Sequence, residues 1–291
     1  MAKAAEAGCP DLSAFRNLDV AWIHGSPAAK YNTDPDIQVH AYDEHTYILR
    51  QNMAVHYEAP FMFLLFGDST AVLLDTGATA DQKFFPLRAT VDKIIDGWLA
   101  DHPHSADYRL LVLHTHSHDD HTAADGQFAG RPSTVVISAE RDTAWRYFGF
   151  TDEPDPATQI DLGGRVLDCL ATPGHDKAAV TYYDRYTGIL FTGDTIYPGR
   201  LYVRDWQGFV QTIDRLVTWC ARHPVTHLLG CHIEMTTEPG VDYPVGWTYQ
   251  PDEPPLELTT DDLIQLQATV KAHDSQPGRY VLPQMIITPV S

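Results

Sequence analysis

An apolar run, Arg109-Leu110-Leu111-Val112-Leu113, leads straight into His114-Thr115-His116-Ser117-His118-Asp119-Asp120-His121. The run has the length and composition of a buried β-strand. The residues after it read as a loop packed with metal-ligating side chains. His116, His118, Asp120 and His121 put four potential ligands within six positions, more than a polar loop needs for its own hydrogen bonds. Imidazole and carboxylate together suit zinc and, less selectively, iron or manganese. In an extended segment His116, His118 and Asp120, two apart, project to one side, while His121 breaks the period and points elsewhere. Such an arrangement can serve two adjacent cations, and it needs a rigid strand end to hold it.

Three more apolar runs end in the same way. Arg165 to Leu170 is followed by Ala171-Thr172-Pro173-Gly174-His175, a run around Tyr182 to Phe191 by Thr192-Gly193-Asp194, and His227-Leu228-Leu229-Gly230 by Cys231-His232. Each sets one His or Asp just past the C-terminal end of an expected strand, where loops carry function on a rigid sheet. Val72-Leu73-Leu74-Asp75-Thr76-Gly77 places another carboxylate in such a position. Taken singly, a Thr-Gly-Asp or a Gly-Cys-His is a weak signal. The ordered set is a strong one.

That set resembles the metallo-β-lactamase superfamily. Its signature is a strand ending in Asp (Asp75), then His-x-His-x-Asp-His (His116, His118, Asp120, His121), then a later His (His175), an Asp (Asp194) and a final His (His232). The resemblance covers roughly residues 55 to 235. It implies an α/β fold, a four-layer αββα sandwich, and two divalent metal ions, zinc first, with iron or manganese as alternatives. On that pattern His116, His118 and His175 would hold one ion, Asp120, His121 and His232 the other, and Asp194 would bridge them. Asp75 would accept a hydrogen bond and orient the ligand loop, with a plain strand-end turn as the competing role. His114 could shift the register, but only the chosen register ends in Asp-His, so His114 is expected to be structural. Cys231 adjoins His232 and a thiolate binds zinc well, yet the histidine fits the pattern better.

The implied activity is attack on a small carbonyl substrate by hydroxide held between the two ions, because metal binding brings the pKa of water down toward roughly 7. Asp120 would bind metal and also orient the nucleophile or shuttle its proton. A bridging Asp194 resembles the glyoxalase II and lactonase branches more than the zinc β-lactamases. Tyr197, three residues past Asp194, resembles the N-acyl homoserine lactone lactonases, where a Tyr at that offset contacts the substrate carbonyl. Tyr197 is therefore a candidate for catalysis and substrate binding, and a lactone or ester is the favoured substrate. The alternatives are a thioesterase of glyoxalase II type, a β-lactamase, an iron-dependent oxidoreductase similar to the sulfur dioxygenases, and a non-catalytic metal-binding module.

Arg200 and Arg204 are candidates to bind a substrate carboxylate bidentately. After His232 the proline- and glycine-punctuated stretch 236–255 excludes a regular element, yet it carries Tyr243, Trp247 and Tyr249. Long loops without secondary structure tend to be functional. This one is expected to fold back and wall the pocket, with Tyr249 as a substrate contact.

A net charge of −19, with 39 acidic against 20 basic residues, weighs against nucleic acid, which needs clustered Lys and Arg. No apolar run of about 18 residues marks a membrane span, and Met1 to Pro10 lacks the apolar stretch of a signal peptide. Cys9, Cys169, Cys220 and Cys231 show no paired spacing and suit reduced thiols. The expected partner is thus a small-molecule substrate in the cytoplasm, with no nucleic acid or membrane, and with self-association left open. Hydrophobic residues at 44% supply a sizeable core. Residues 1–55 read as an irregular lead-in belonging to the same domain as the hydrolase part, 56–291. Phe61–Phe66 and Ala71–Leu74 read as a hairpin. Thr90–Ala100, an Asp205-capped stretch to Ala221, and Asp261–His273 capped by Thr260 read as helices.

Overall fold

Every side chain of Phe61–Phe66 is buried, which a strand achieves only when both faces of its sheet are covered. Phe61, Phe63 and Leu65 pack into one interior, and Met62, Leu64 and Phe66 into another. The two-residue period of a strand divides one apolar run between two cores. The computed structural model describes residues 17–151 and 157–290. Its strands are β1 (Ile37–Asp43), β2 (Thr46–Gln51), β3 (Phe61–Phe66), β4 (Thr70–Leu74), β5 (Arg109–Leu113), β6 (Thr134–Val136), β7 (Thr158–Asp161), β8 (Val166–Ala171), β9 (Val180–Asp184), β10 (Ile189–Gly193), β11 (Arg200–Val203), β12 (His227–Gly230), β13 (Glu257–Leu258), β14 (Tyr280–Val281) and β15 (Ile286–Pro289). Its α-helices are α1 (Leu87–Asp101), α2 (Asp119–Thr122), α3 (Asp125–Phe128), α4 (Arg141–Phe148), α5 (Trp206–Cys220) and α6 (Thr260–Ala272).

The first sheet runs β1-β2-β3-β4-β5-β6 and the second β13-β12-β10-β9-β8-β7. α1 carries the chain from β4 to its parallel neighbour β5 and buries Leu87, Val91, Ile95 and Trp98 on the outer face of the first sheet. α5 does the same between the parallel strands β10 and β12, burying Phe209, Ile213 and Leu216. α6 adds Leu263, Leu266 and Val270 to that outer core. The inner faces meet in the middle, where the Phe63 and Phe191 rings lie 4.6 Å apart. The layers follow as helix, sheet, sheet, helices, the αββα sandwich expected. A small third sheet, β11-β15-β14, joins the segment after Asp194 to the C-terminal strands.

Several local expectations shift. The described part of the lead-in is not irregular: β1 and β2 pair antiparallel at the edge of the first sheet, and Trp22 packs edge-on against Phe61 at 4.9 Å. On β1 the polar Gln38 and His40 lie half-covered, tied to Ile23, Ala21 and Asn17, while Val39 and Ala41 are exposed, so polarity there runs against burial. The third apolar run is two antiparallel strands, β9 and β10, turned at Thr187-Gly188 because Gly188 adopts φ +74°. α1 begins three residues earlier than the periodicity suggests, directly after Pro86. Asp205 caps α5 as expected, its carboxylate accepting from Gly208 N–H. Thr259 rather than Thr260 caps α6, in a reciprocal capping box with Asp262. Cys9 and the rest of 1–16 lie outside the described residues. Among the described residues no helix is long and apolar enough to cross a membrane.

Candidate metal centre

β4 and β5 run parallel, and so do β8, β10 and β12 through their antiparallel partner β9 and the β10–β12 pair. The C-terminal ends of these strands bring Asp75, the 114–121 loop, His175, Asp194 and His232 to one end of the sandwich. The extended segment after β5 lasts only to His118. There the chain turns into α2, so Asp120 does not stay with His116 and His118. Two groups result. His116, His118 and His175 form one; Asp120, His121, Asp194 and His232 form the other. Asp194 straddles them, its oxygens 3.7 Å from His175 Nε2, 3.5 Å from His121 Nε2 and 3.4 Å from His232 Nε2. All seven side chains named from the sequence are brought together.

Following the protons tests whether cations fit. His175 Nδ1 donates to the Tyr202 carbonyl at 2.8 Å, and His232 Nδ1 to the Glu58 carbonyl at 3.0 Å. His121 Nδ1 donates to Asp75 Oδ2 at 2.9 Å. Thr115 Oγ1 gives its proton to Asp75 Oδ2 at 2.8 Å, so at 3.1 Å it accepts from His116 Nδ1. With Nδ1 committed, each of these four rings points Nε2 inward, where it offers a lone pair whenever the ring is neutral. His116 Nε2 and His175 Nε2 both face His118 Nδ1, at 2.9 and 3.0 Å, and one proton cannot satisfy both. His121 Nε2 and His232 Nε2 face each other at 3.3 Å. Asp194 Oδ1 is buried with no hydrogen-bond partner. Convergent lone pairs, with an orphaned carboxylate oxygen among them, suit a cation in each group.

The two groups differ in charge. Burial, followed by the nearby His121, holds His116 well below the ordinary imidazole pKa, and burial likewise lowers His175; these rings stay neutral donors. In the second group burial opposes ionisation, but Asp194 and Asp120 outweigh it and push His232 up to about 10. Asp120, Asp194 and Asp75 likewise outweigh burial to raise His121. Burial would raise Asp120 and Asp194, yet the facing imidazoles hold both below the usual carboxylate range. Without a metal this group holds protons that cations would displace.

Asp75 is fully buried at φ +66° and accepts from Thr115 N–H at 2.7 Å, Thr115 O–H, His121 Nδ1–H and, at 3.3 Å, Cys231 S–H. It anchors both ends of the ligand loop, and Cys231 faces it rather than the two groups. His114 is buried behind the loop, 3.2 Å from Asp125 and 3.8 Å from Asp75, in a structural place. Gly174 lets the His175 loop approach α5: a Cβ there would meet Phe209 Cα at 2.7 Å.

A cavity of about 270 Å3 opens onto the two groups, lined by Glu58, His118, Asp120, His175, Asp194, Tyr197, Tyr202, Arg204, His232, Glu234 and Val290. The substrate-binding expectations need correction. Tyr197 lines the cavity but is buried, and its hydroxyl is committed to the Arg200 carbonyl and to Glu234, 3.0 Å away. Arg200 cannot take a substrate carboxylate. Its guanidinium contacts Glu234 at 2.7 Å, Asp242 at 3.0 Å, the Tyr243 carbonyl at 2.6 Å and Tyr202 Oη at 3.1 Å. Tyr249 lies elsewhere, bridged to Gly25 and beside the His24 ring. The 236–255 stretch does not wall the cavity. It clasps Arg200 through Asp242 and Tyr243, and it offers Glu253 to the buried Arg50. Glu58, Tyr202, Glu234 and Val290 were not anticipated. Their only signals, adjacency to a turn, a strand or His232, are too common to single them out.

The family model described as the metallo-beta-lactamase superfamily matches residues 58–269. A hydroxyacylglutathione hydrolase of Synechococcus sp. is 31% identical over an alignment of 123 residues that covers 38% of this chain and 48% of that protein. One of Cyanothece sp. is 25% identical over 216 residues, 64% of this chain and 84% of the relative. The chain thus spans about half the length of the first of these relatives and more of the second. Among solved structures, a metallo-beta-lactamase from Pontibacter korlensis superposes with a TM-score of 0.48 at 19% identity, covering 67% of this chain and 91% of the other. ETHE1 from Myxococcus xanthus gives 0.46 at 18% identity, covering 74% and 81%.

Proposed function

The chain belongs to the metallo-β-lactamase superfamily, and from that premise we propose that it is a hydrolase of small acyl compounds working through two divalent cations. The observation that carries this is the pair of ligand groups sharing Asp194, with imidazole nitrogens aimed at each other across 2.9–3.3 Å. His116, His118 and His175 would hold one cation, Asp120, His121 and His232 the other, and Asp194 both. Zinc suits this mixed nitrogen and carboxylate set best, with iron and manganese as alternatives. When bound, the cations supply Lewis acidity toward an acyl carbonyl and acidify water.

The chain's own residues do the rest. Asp75, Glu58 and Tyr202 fix the tautomer of His121, His232 and His175 by accepting their Nδ1 protons. Asp120 is part-exposed at the cavity, and one of its oxygens lies 3.2 and 3.3 Å from the second-group imidazoles. Its other oxygen is free to orient water and accept a proton from it. Tyr197 supports the site from behind by tying Arg200 and Glu234 together. With its hydroxyl committed there, the reason to favour a lactone over other acyl bonds lapses. The relatives named hydroxyacylglutathione hydrolase bring a thioester forward as the first candidate, with esters and lactones next. The test is a panel of thioesters, aryl esters, lactones and β-lactams with metal analysis alongside. Turnover of an acyl substrate that vanishes on chelation and returns with zinc or manganese supports the reading. Oxygen uptake with one iron per chain and no hydrolysis overturns it.

A further inference from the structure

β11 buries Leu201 and Val203 in the core behind it, so by the two-residue period Arg200, Tyr202 and Arg204 share the opposite side. Tyr202 and Arg204 line the cavity. The three residues are not equivalent. Arg200 is consumed by Glu234, Asp242 and the Tyr243 carbonyl. The Tyr202 oxygen accepts from Arg200 Nε, and its own O–H finds no acceptor among the described residues. Arg204 makes no ion pair and no side-chain hydrogen bond among the described residues. Its backbone N–H is tied to the Gly174 carbonyl at 2.9 Å, which pins the base of the side chain beside the His175 loop.

The charges around the cavity make this lone guanidinium informative. Glu234 is paired with Arg200, Asp120 and Asp194 face the second-group imidazoles, and Glu58 makes no ion pair among the described residues. Arg204 is thus the one Arg or Lys lining the cavity among the described residues, with no carboxylate set against it. Glu58 lines the same cavity and makes no ion pair with Arg204.

We propose that Arg204, with the Tyr202 hydroxyl beside it, binds a carboxylate carried by the substrate, so that the site takes anionic acyl compounds in preference to neutral ones. The inference rests on the acyl-hydrolase reading, which supplies the reacting end of the ligand. A guanidinium offers a carboxylate two parallel N–H bonds, and Arg204 is exposed, so it loses little hydration in forming them. The overall charge of −19 does not oppose this at contact range, because salt screens distant charges beyond about 8–10 Å.

The experiment compares adipate with hexanoate, and glutarate with pentanoate, binding to the metal-loaded full-length protein by calorimetry. Each pair differs only in a second carboxylate. One or both diacids should bind about ten- to a hundredfold more tightly than the matched monoacid, the range for one charge-assisted contact. Arg204→Gln should bring the ratio close to one and Arg204→Lys should keep part of it. Tyr202→Phe should lower it by a smaller factor, with metal content unchanged in all three. Equal binding of diacid and monoacid by the unaltered protein, or a preference that survives Arg204→Gln, overturns the proposal. A chain that shows the Arg204-dependent preference but hydrolyses no acyl substrate loses the hydrolase reading and keeps the anion site. An active enzyme indifferent to the second carboxylate does the reverse.

Discussion

Asp75→Asn separates geometry from charge at one buried position. Asparagine tolerates the φ of +66° about as well as aspartate, so the backbone should stay put. The change is in the hydrogen bonds. Asp75 accepts four, and three of them converge on Oδ2, from Thr115 O–H, His121 Nδ1–H and Cys231 S–H. An asparagine that keeps its carbonyl toward Thr115 N–H turns an NH2 toward these three donors. The hydroxyl and the thiol can rotate away. The imidazole can only change tautomer, accepting at Nδ1 and moving its proton to Nε2. That nitrogen faces Asp120, Asp194 and His232, where the second cation is proposed to sit. Metal affinity there should fall about 10–100-fold, the usual cost of losing such a supporting partner, or about 1.4–2.7 kcal/mol. The mismatched buried donors should cost the folded chain about 1–3 kcal/mol besides. Competition with a chromogenic chelator reads the first quantity and thermal unfolding the second. Two ions bound as tightly as in the unaltered protein, at an unchanged Tm, would refute the reasoning.

Other substitutions and conditions are equally specific. His118→Ala and Asp194→Ala should each abolish turnover with little change in circular dichroism; near-normal activity at full metal loading contradicts the assignment. Tyr197→Phe removes a hydroxyl bonded to the Arg200 carbonyl and Glu234, so it should cost about 1 kcal/mol of stability and little activity. A tenfold or larger loss in kcat at unchanged Tm would restore Tyr197 to substrate contact. In the metal-free chain His232 is pushed up to about 10, above its unfolded value of 6.5. Its contribution is therefore complete below pH 6.5 and lost as pH rises through about 10. Stability between pH 6.5 and 8 should fall by up to about 1.4 kcal/mol per pH unit for that proton, and His232→Gln should flatten the slope. A metal-free Tm independent of pH over that window would contradict the raised pKa.

The ligand-bearing strand ends were legible because apolar runs of strand length recur with one ligand-type residue after each, and order along the chain survives folding. The sandwich itself and the sharing of ligands between two ions came from the family resemblance that this ordered set carries. The edge hairpin β1–β2 was hidden because on β1 the exposed positions are the apolar Val39 and Ala41 and the half-covered ones the polar Gln38 and His40, the reverse of the usual alternation. The resemblance grouped Asp120 with His121, whereas spacing alone set it beside His116 and His118, because nothing local shows that the extended loop becomes helical at Asp119. Partners distant in sequence were not readable at all. Tyr197 and Arg200 look free in one dimension, yet Glu234 and Asp242 claim them in three. Arg204, exposed just past β11, has no such partner among the described residues. The long 236–255 stretch was rightly read as irregular, but its aromatic content says nothing about which side of the sandwich it covers.

Metal stoichiometry on the full-length protein, with the ions located by anomalous scattering, tests the central claim most directly. Two divalent ions per chain are predicted, one among His116, His118 and His175, the other among Asp120, His121 and His232, both touching Asp194, with His232→Ala retaining only the first. A protein that takes up no ion at saturating zinc, or binds ions only elsewhere, would contradict it.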